Sequence, residues 1–359
     1  MDLSTSFMGM KFKNPLMPAS GPLVGDDEKI IFLNKMGLGA MVTKTISING
    51  AMVPRPCIIA GENNILNVEL WSEYSLECWV NKYLPNIKKE VKSPLIISTG
   101  YTKEDMKILI PALDPFADAF EISTHYVGKD LSIIAETIKT IRSLTNKPVF
   151  MKLSPHMPDP VAFSKMVLES GGDGVVAINS VGPTMSIDLK KRSIVMGNTK
   201  GEAWMSGPVI KPIALAMIAK IKREVPECKI IGVGGISSAK DVLEFLLAGA
   251  NLVQMLSAAM LKGIDLYKKI IDELPQTLKN YGFSSIQEVI DTPLNIPDTV
   301  YEPIYPNVDE KACILCQKCI KSCPYFAMSK VDNKIIINKE YCFGCTLCKS
   351  ICPKNAISF

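Results

Sequence analysis

The sequence predicts an α/β protein, a (β/α)8 barrel of the TIM type followed by a small cysteine-rich domain. Three observations predict it. Up to about residue 290, eight short apolar runs end in polar or glycine residues, and each is followed by a longer stretch of helical periodicity. Residues 291–309, DTPLNIPDTVYEPIYPNVD, carry four prolines, which disfavour helix and interrupt sheet ladders. Beyond this junction, eight of the eleven cysteines fall within the last 47 residues. The expected organisation is a barrel over 1–290, a proline-rich linker over 291–309 and a second domain over 310–359.

The eight strand candidates are residues 14–20, 40–47, 94–100, 117–123, 148–154, 173–180, 229–235 and 251–257. Continuous apolar strands joined by helical crossovers argue for a parallel sheet covered by helices, and the number eight favours a closed barrel over an open doubly wound sheet. Two intervals, roughly 47–93 and 181–228, are about twice as long as a helix and its turns require. Loops after barrel strands lie on the face where active sites are built, so these insertions are expected to shape or cover a pocket.

Composition sets the boundaries. An apolar share of 47% and a charged share of 21% are ordinary for a globular chain. A formal charge of +4, from 40 basic and 36 acidic residues, is too small and dispersed to indicate a nucleic-acid or anionic-membrane partner. The start lacks a basic region leading into a long apolar core, and no apolar run reaches the roughly 18 to 20 residues needed to span a bilayer. A protein of the reducing cytoplasm is expected, with its cysteines serving metal rather than disulfides.

Those cysteines stand in two copies of C-x2-C-x2-C-x3-C-P: Cys313, Cys316, Cys319, Cys323 with Pro324, and Cys342, Cys345, Cys348, Cys352 with Pro353. Each cysteine of the first copy recurs 29 residues later, so the segment is an internal duplication. Three closely spaced thiolates take three corners of a cubane and the fourth arrives from the other copy. One 4Fe-4S cluster should use Cys313, Cys316, Cys319 and Cys352, and the other Cys342, Cys345, Cys348 and Cys323. Zinc takes its ligands as two pairs and has no need of this triplet with proline. A ferredoxin-like domain with two 4Fe-4S clusters, carrying single electrons, is the reading. Cys57, Cys78 and Cys228 lie outside the motifs and read as small buried hydrophobes.

An electron-carrying module fused to a barrel implies a redox centre within the barrel. There is neither a haem-attachment motif nor a G-x-G-x-x-G fingerprint, so flavin is the natural inference. Gly232, Gly234 and Gly235 precede a helix expected to begin between Ser237 and Lys240, and the eighth strand ends at Ser257, which is where many barrels bind phosphate. Lys44 and Lys152 each end an otherwise apolar strand. A lysine in a barrel mouth needs a counter-charge, which an anionic cofactor, or a neighbouring Asp or Glu, would supply.

The stretches VTKTIS (42–47), LNVELWSE (66–73), FMKLSP (150–155), INSVGP (178–183), SGPVIKPIAL (206–215) and GVGGISSA (232–239), with the two cysteine sets, resemble the dihydroorotate dehydrogenase superfamily. The likeness is closest to the pyrimidine-reducing half of dihydropyrimidine dehydrogenase and its ferredoxin module. The resemblance covers nearly the whole chain in the right order. It implies FMN contacts at Ala19, Ser20, Lys44, Thr45, Lys152, Asn179, Gly207, Gly234, Gly235 and Ser257, and a substrate ring facing Asn67, Asn179 and Ser180. An amide side chain offers both a donor and an acceptor to the alternating N–H and C=O groups of a pyrimidine edge.

The chain departs from the family after the fourth strand. Where the family has N-x-S-C-P-H, with a cysteine proton donor, this sequence reads EISTHYVGKD. Ser123 takes the place of the asparagine and Tyr126 that of the cysteine, which leaves Tyr126 or His125 as the candidate acid. His156, the other histidine, reads as structural or supporting. The expected activity is an FMN- and iron–sulfur-dependent oxidoreductase acting on a carbon–carbon bond of a planar, heterocyclic small molecule, with reduction favoured. The alternatives are a genuine dihydropyrimidine or dihydroorotate dehydrogenase, and a non-catalytic electron-transfer subunit. With no nicotinamide-oxidising domain in the sequence, the resemblance implies an electron partner, either an NAD(P)H-oxidising flavoprotein subunit or a ferredoxin. A homo-oligomer is also expected.

Overall fold

The computed structural model describes residues 1–100 and 102–359 and divides them into two compact units, Met1–Leu294 and Asn295–Phe359. In the first unit all eight expected strands form: Leu16–Pro18, Met41–Val42, Leu95–Thr99, Ala119–Ile122, Val149–Leu153, Gly174–Ala177, Lys229–Val233 and Leu252–Met255. They pair in parallel, the first strand with the eighth and so on round to the second. Between first and second strands the Gly39 amide donates to the Leu16 carbonyl at 2.9 Å. A Cβ on Gly39 would lie 1.9 Å from the Asn14 carbonyl oxygen, so only glycine lets the chain approach closely enough to draw the ring together there.

Side-chain alternation sorts each strand between two surroundings. Leu16, Met41, Leu95, Phe120, Met151, Val175, Ile230 and Val253 face the helices. Their neighbours Met17, Val42, Ile96, Phe150, Val176, Ile231 and Leu252 fill the interior. Two residues further on, the inward positions turn polar, as Ser98, Glu121, Lys152 and Gln254, all on barrel strands. The barrel thus has an apolar floor and a polar layer towards the C-terminal ends of its strands. An N-terminal hairpin, Thr5–Phe7 with Met10–Phe12, adds Phe7 and Phe12 to the floor, and the Phe7 ring stacks on Phe150 at 5.4 Å.

The helices begin where the chain supplies caps. Asp26 caps Asp27–Asn34, Thr102 and Asp105 form a capping box on Lys103–Leu113, and Asp159 caps Pro160–Glu169. Each side chain satisfies amides that the first helical turn leaves without carbonyl partners. The two long intervals do not form separate loops. Ile58–Ala60 and Ile65–Asn67 from the first join Val181–Thr184 and Ala203–Ser206 from the second in one four-stranded antiparallel sheet, with Asn67 opposite Trp204.

The second unit begins earlier than residue 310. Asn307–Val308 pairs with Ile357–Ser358, and Lys339 lies over the Tyr305 ring, so much of the expected linker belongs to this unit. The 29-residue repeat is visible in the backbone. Left-handed residues recur at Leu315 and Gly344, Gln317 and Thr346, and Phe326 and Asn355. Each copy has one short helix, Lys318–Lys321 or Leu347–Ser350.

Candidate active site and cluster-binding unit

The polar layer forms the base of a cavity of about 820 Å³, within the range of small-molecule and cofactor sites. Its wall includes Ala19, Ser20, Lys44, Thr45, Asn67, Ser123, His125, Lys152, Asn179, Ser180, Gly207, Gly234, Gly235 and Ser257. These are all the barrel residues expected to hold the cofactor or substrate or to act as the acid, except Tyr126. The antiparallel insertion sheet contributes Ile58, Ile65, Asn67, Trp204 and Ser206, so both insertions do build the pocket.

Tyr126 is placed differently. Its hydroxyl donates to the backbone carbonyl of Asp130, four residues along the same loop, and the side chain is absent from the cavity wall. The short loop folds the phenol back on itself, so its hydroxyl is engaged within its own loop. His125 does face the cavity. Its backbone lies in the left-handed region (φ 53°), and its Nε2 accepts from Trp71 Nε1 at 3.4 Å. Desolvation by the surrounding protein, and then the charge of Lys152, hold its imidazole below the ordinary histidine range. Although the ring meets solvent inside the cavity, the charged form is disfavoured there.

Both lysines have protein partners. Lys44 Nζ lies 2.9 Å from Glu69 Oε2 and 3.0 Å from Glu73 Oε2. Lys152 Nζ donates to Glu121 Oε1 at 3.2 Å and Gln254 Oε1 at 3.3 Å, and Gln254 Nε2 donates to Glu121 Oε2 at 2.7 Å. Of the two expected sources of counter-charge, a cofactor or a neighbouring acidic residue, the second is present in the chain itself. Burial alone would raise the Glu73 carboxyl, but its hydrogen bond and attraction to Lys44 outweigh that and hold it below the usual range. Cys57, expected to be a simple hydrophobe, is half-buried and donates to Glu69 Oε1 at 3.5 Å. Cys228 is fully buried in the core, which pushes its thiol up to about 11.

The site has the form a flavin needs. Gly234 and Gly235 have φ of +116° and +103°, and a Cβ on Gly235 would sit 2.6 to 2.7 Å from Lys211. The loop consequently stays bare backbone facing the cavity. The next helix, Ala239–Leu247, is capped by its own Ser238, and Asp241 accepts from the Ser237 amide, so this N-terminus is already occupied. Helix Ser257–Lys262 opens without a capping side chain beside the same cavity. Asn67 Nδ2 donates to the Trp204 carbonyl and Asn179 Oδ1 accepts from the Ser180 amide, which fixes the orientation of both amides. His156 Nε2 accepts from the Gly182 amide at 3.1 Å, a structural bond.

In the second unit, Cys313, Cys316, Cys319 and Cys352 line one small cavity with Val308, Ile335 and Ile357. The fourth cysteine comes from the other copy, as the crossed arrangement expects. The Ala327 amide donates to Cys323 Sγ at 3.4 Å and the Ala356 amide to Cys352 Sγ at 3.3 Å, one such bond per copy. Burial, and then neighbouring thiols, raise Cys319 and Cys348. These thiols favour a bound cation that offsets the cost of their thiolates. The residues fit the cluster assigned to them.

Glu69, Glu73, Glu121, Gln254 and Trp71 escaped the sequence reading. Glu121 and Gln254 sit inside apolar strands as Lys152 does, and the same reasoning applied to them finds both.

A parallel barrel with a polar mouth, joined to a duplicated cysteine unit, defines a flavin and iron–sulfur oxidoreductase. Residues 2–278 match the dihydroorotate dehydrogenase family and residues 306–359 the 4Fe-4S dicluster domain. The chain belongs to the dihydroorotate dehydrogenase family; it is an oxidoreductase acting on CH–CH groups, with FMN and 4Fe-4S clusters as cofactors. It is 32% identical over 305 residues to the dihydroorotate dehydrogenase B (NAD(+)) catalytic subunit of Pyrococcus horikoshii, covering 82% of this chain and 98% of that one. The subunit of the same name from Oceanobacillus iheyensis is 31% identical over 303 residues, covering 81% and 98%. That from Geobacter metallireducens is 32% identical over 302 residues, covering 80% and 97%. Nearly the whole of each relative is matched, while about a fifth of this chain has no counterpart in the match. No helix among the described residues is long and apolar enough to cross a membrane.

Proposed function

We propose that the chain reduces the carbon–carbon double bond of a planar, uncharged heterocycle of pyrimidine type, in the manner of the pyrimidine-reducing half of dihydropyrimidine dehydrogenase. Bound FMN supplies hydride chemistry. Lys44, Thr45, Lys152, Ala19, Ser20, Gly207, Gly234, Gly235 and Ser257 would hold it. Asn67, Asn179, Ser180 and Ser123 would orient the substrate ring through amide and hydroxyl bonds to its polar edge. The eight motif cysteines would hold the two clusters, which pass electrons one at a time from a separate carrier protein.

The observation that carries the choice of substrate is the pairing of the lysines in the cavity wall. Lys44 is bound by Glu69 and Glu73 and Lys152 by Glu121, so an entering carboxylate meets cations that are already neutralised. An anion brought beside Glu69 loses hydration without gaining a free counter-charge. A second reading, oxidation of dihydroorotate, is favoured by the names of the curated relatives, and dihydroorotate carries such a carboxylate.

Anaerobic steady-state assays with uracil, thymine and dihydroorotate separate the two. Turnover of the neutral rings with little or none of dihydroorotate is expected. Rapid turnover of dihydroorotate alone would establish the second reading.

A further inference from the structure

Trp71 comes from the first insertion and His125 from the loop after the fourth barrel strand, and both line the cavity. Their rings lie 6.0 Å apart at 42°, with Trp71 Nε1 3.4 Å from His125 Nε2. An indole N–H only donates, so the imidazole Nε2 at the other end of this bond must be the unprotonated nitrogen. In the neutral ring the proton then resides on Nδ1. Because an imidazolium carries hydrogens on both nitrogens, the Trp71 bond is available to the neutral ring alone.

We infer that Trp71 is a positioning residue that holds His125 as a neutral imidazole with its proton on Nδ1, and that His125 serves the reaction as a hydrogen-bond donor rather than as the proton source. This rests on the proposed reduction of a carbon–carbon double bond conjugated to a carbonyl. Such a reduction adds a hydride, supplied by reduced FMN, to the carbon remote from the carbonyl, and a proton to the nearer carbon. Between the two additions the electron pair of the double bond resides largely on the carbonyl oxygen. A fixed N–H aimed at that oxygen lowers the barrier without itself losing a proton. Water would supply the proton, and the hydride's two electrons would come from bound reduced FMN, oxidised in exchange.

The charged environment agrees. Lys44, Lys152, Glu69, Asp105 and Glu121 share the cavity wall with His125, and of these Lys152 acts on the imidazole, in the direction that opposes protonation. A ring kept neutral is a poor acid at neutral pH but a sound donor. The departure from the family's cysteine motif then changes the strategy, with charge stabilisation by His125 in place of an enzyme proton.

The test is direct because the chain has only two histidines. Long-range 1H–15N NMR of the holoenzyme labelled with 15N-histidine reads which nitrogen carries the proton, and His125→Asn identifies the signal. The unprotonated nitrogen of His125 is expected to be Nε2. A proton on Nε2 in the wild type would overturn the inference whatever any variant does. Trp71→Phe keeps an aromatic ring and removes the N–H. It should return His125 to a tautomer mixture, move its titration midpoint upward, and lower kcat roughly tenfold, about the effect of one lost hydrogen bond. An unchanged tautomer and midpoint in Trp71→Phe would sink the positioning role. If uracil and thymine are not reduced at all, the substrate reading fails, while the tautomer measurement still judges the pairing of Trp71 with His125.

Discussion

The two units of this chain are stabilised in opposite ways. The barrel is built round a continuous apolar core that reaches every strand and most helices, with Trp79, Tyr267, Phe120 and Phe163 among its fully buried side chains. The second unit buries little besides Cys319, Ala327, Met328, Ile335, Ala356 and Ile357, while Ile314, Phe326, Tyr341 and Phe343 remain exposed. The residues packed round that small core include Cys313, Cys323, Cys348 and Cys352. A domain this small rarely offsets the entropy of ordering its chain by apolar burial alone, and needs staples. In the barrel the cofactor enters a structure that packing already specifies. In the second unit, cofactor binding and folding are expected to be one event.

The strongest way to break that contrast is to remove the iron. After anaerobic chelation, amide exchange over residues 306–359 should rise to the rate of an unfolded chain, since ligation free energy is folding free energy there. Amides of the barrel strands should keep their protection. Retained protection in the second unit would show that its apolar contacts suffice.

A barrel substitution sharpens the comparison from the other side. Lys152→Met leaves Glu121, whose side chain is 1% exposed, with the Gln254 amide but no counter-charge. Removing one partner of a buried ion pair costs about 3 kcal/mol. The barrel transition in a thermal melt should move down accordingly, with the cluster absorbance at room temperature unchanged. Lys152→Met combined with Glu121→Gln should recover much of the loss, because no unpaired charge then remains.

The same contrast explains what the sequence could disclose. The eight strands were legible because each carries its own apolar run and its own terminating residue. The cysteine spacing was legible because cluster geometry is written locally, apart from the crossed fourth ligand, which the ferredoxin-like pattern implied. The N-terminal hairpin was not, since TSF and MKF are too short to show a period of two. Nor was the insertion sheet, in which Asn67 pairs with Trp204 far along the chain. The counter-charges of Lys44 were hidden for a related reason. Glu69 and Glu73 lie in a loop without periodicity, and only the folded barrel brings them to the lysine. The turn that carries the Tyr126 hydroxyl to the Asp130 carbonyl was not legible either, because EISTHYVGKD has no periodicity from which a loop's path follows.

The smallest effect concerns pH and belongs to the barrel alone. His125 has a folded-state pKa below its ordinary value of 6.5. Below that value the unfolded chain binds a proton that the folded chain still refuses, so stability falls as pH falls. The contribution is complete above about pH 6.5 and is lost as pH drops through the lowered native value. Chemical denaturation of the barrel between pH 7 and 5 should therefore show a slope that is reduced in His125→Asn. The carboxylates of Glu73 and Asp241, also held below their ordinary values by Lys44 and Lys211 against the opposing effect of burial, act at lower pH and leave the assignment clear. Equal slopes in the wild type and His125→Asn would mean that the imidazole titrates freely in the open cavity, and that the barrel does not restrain its charge.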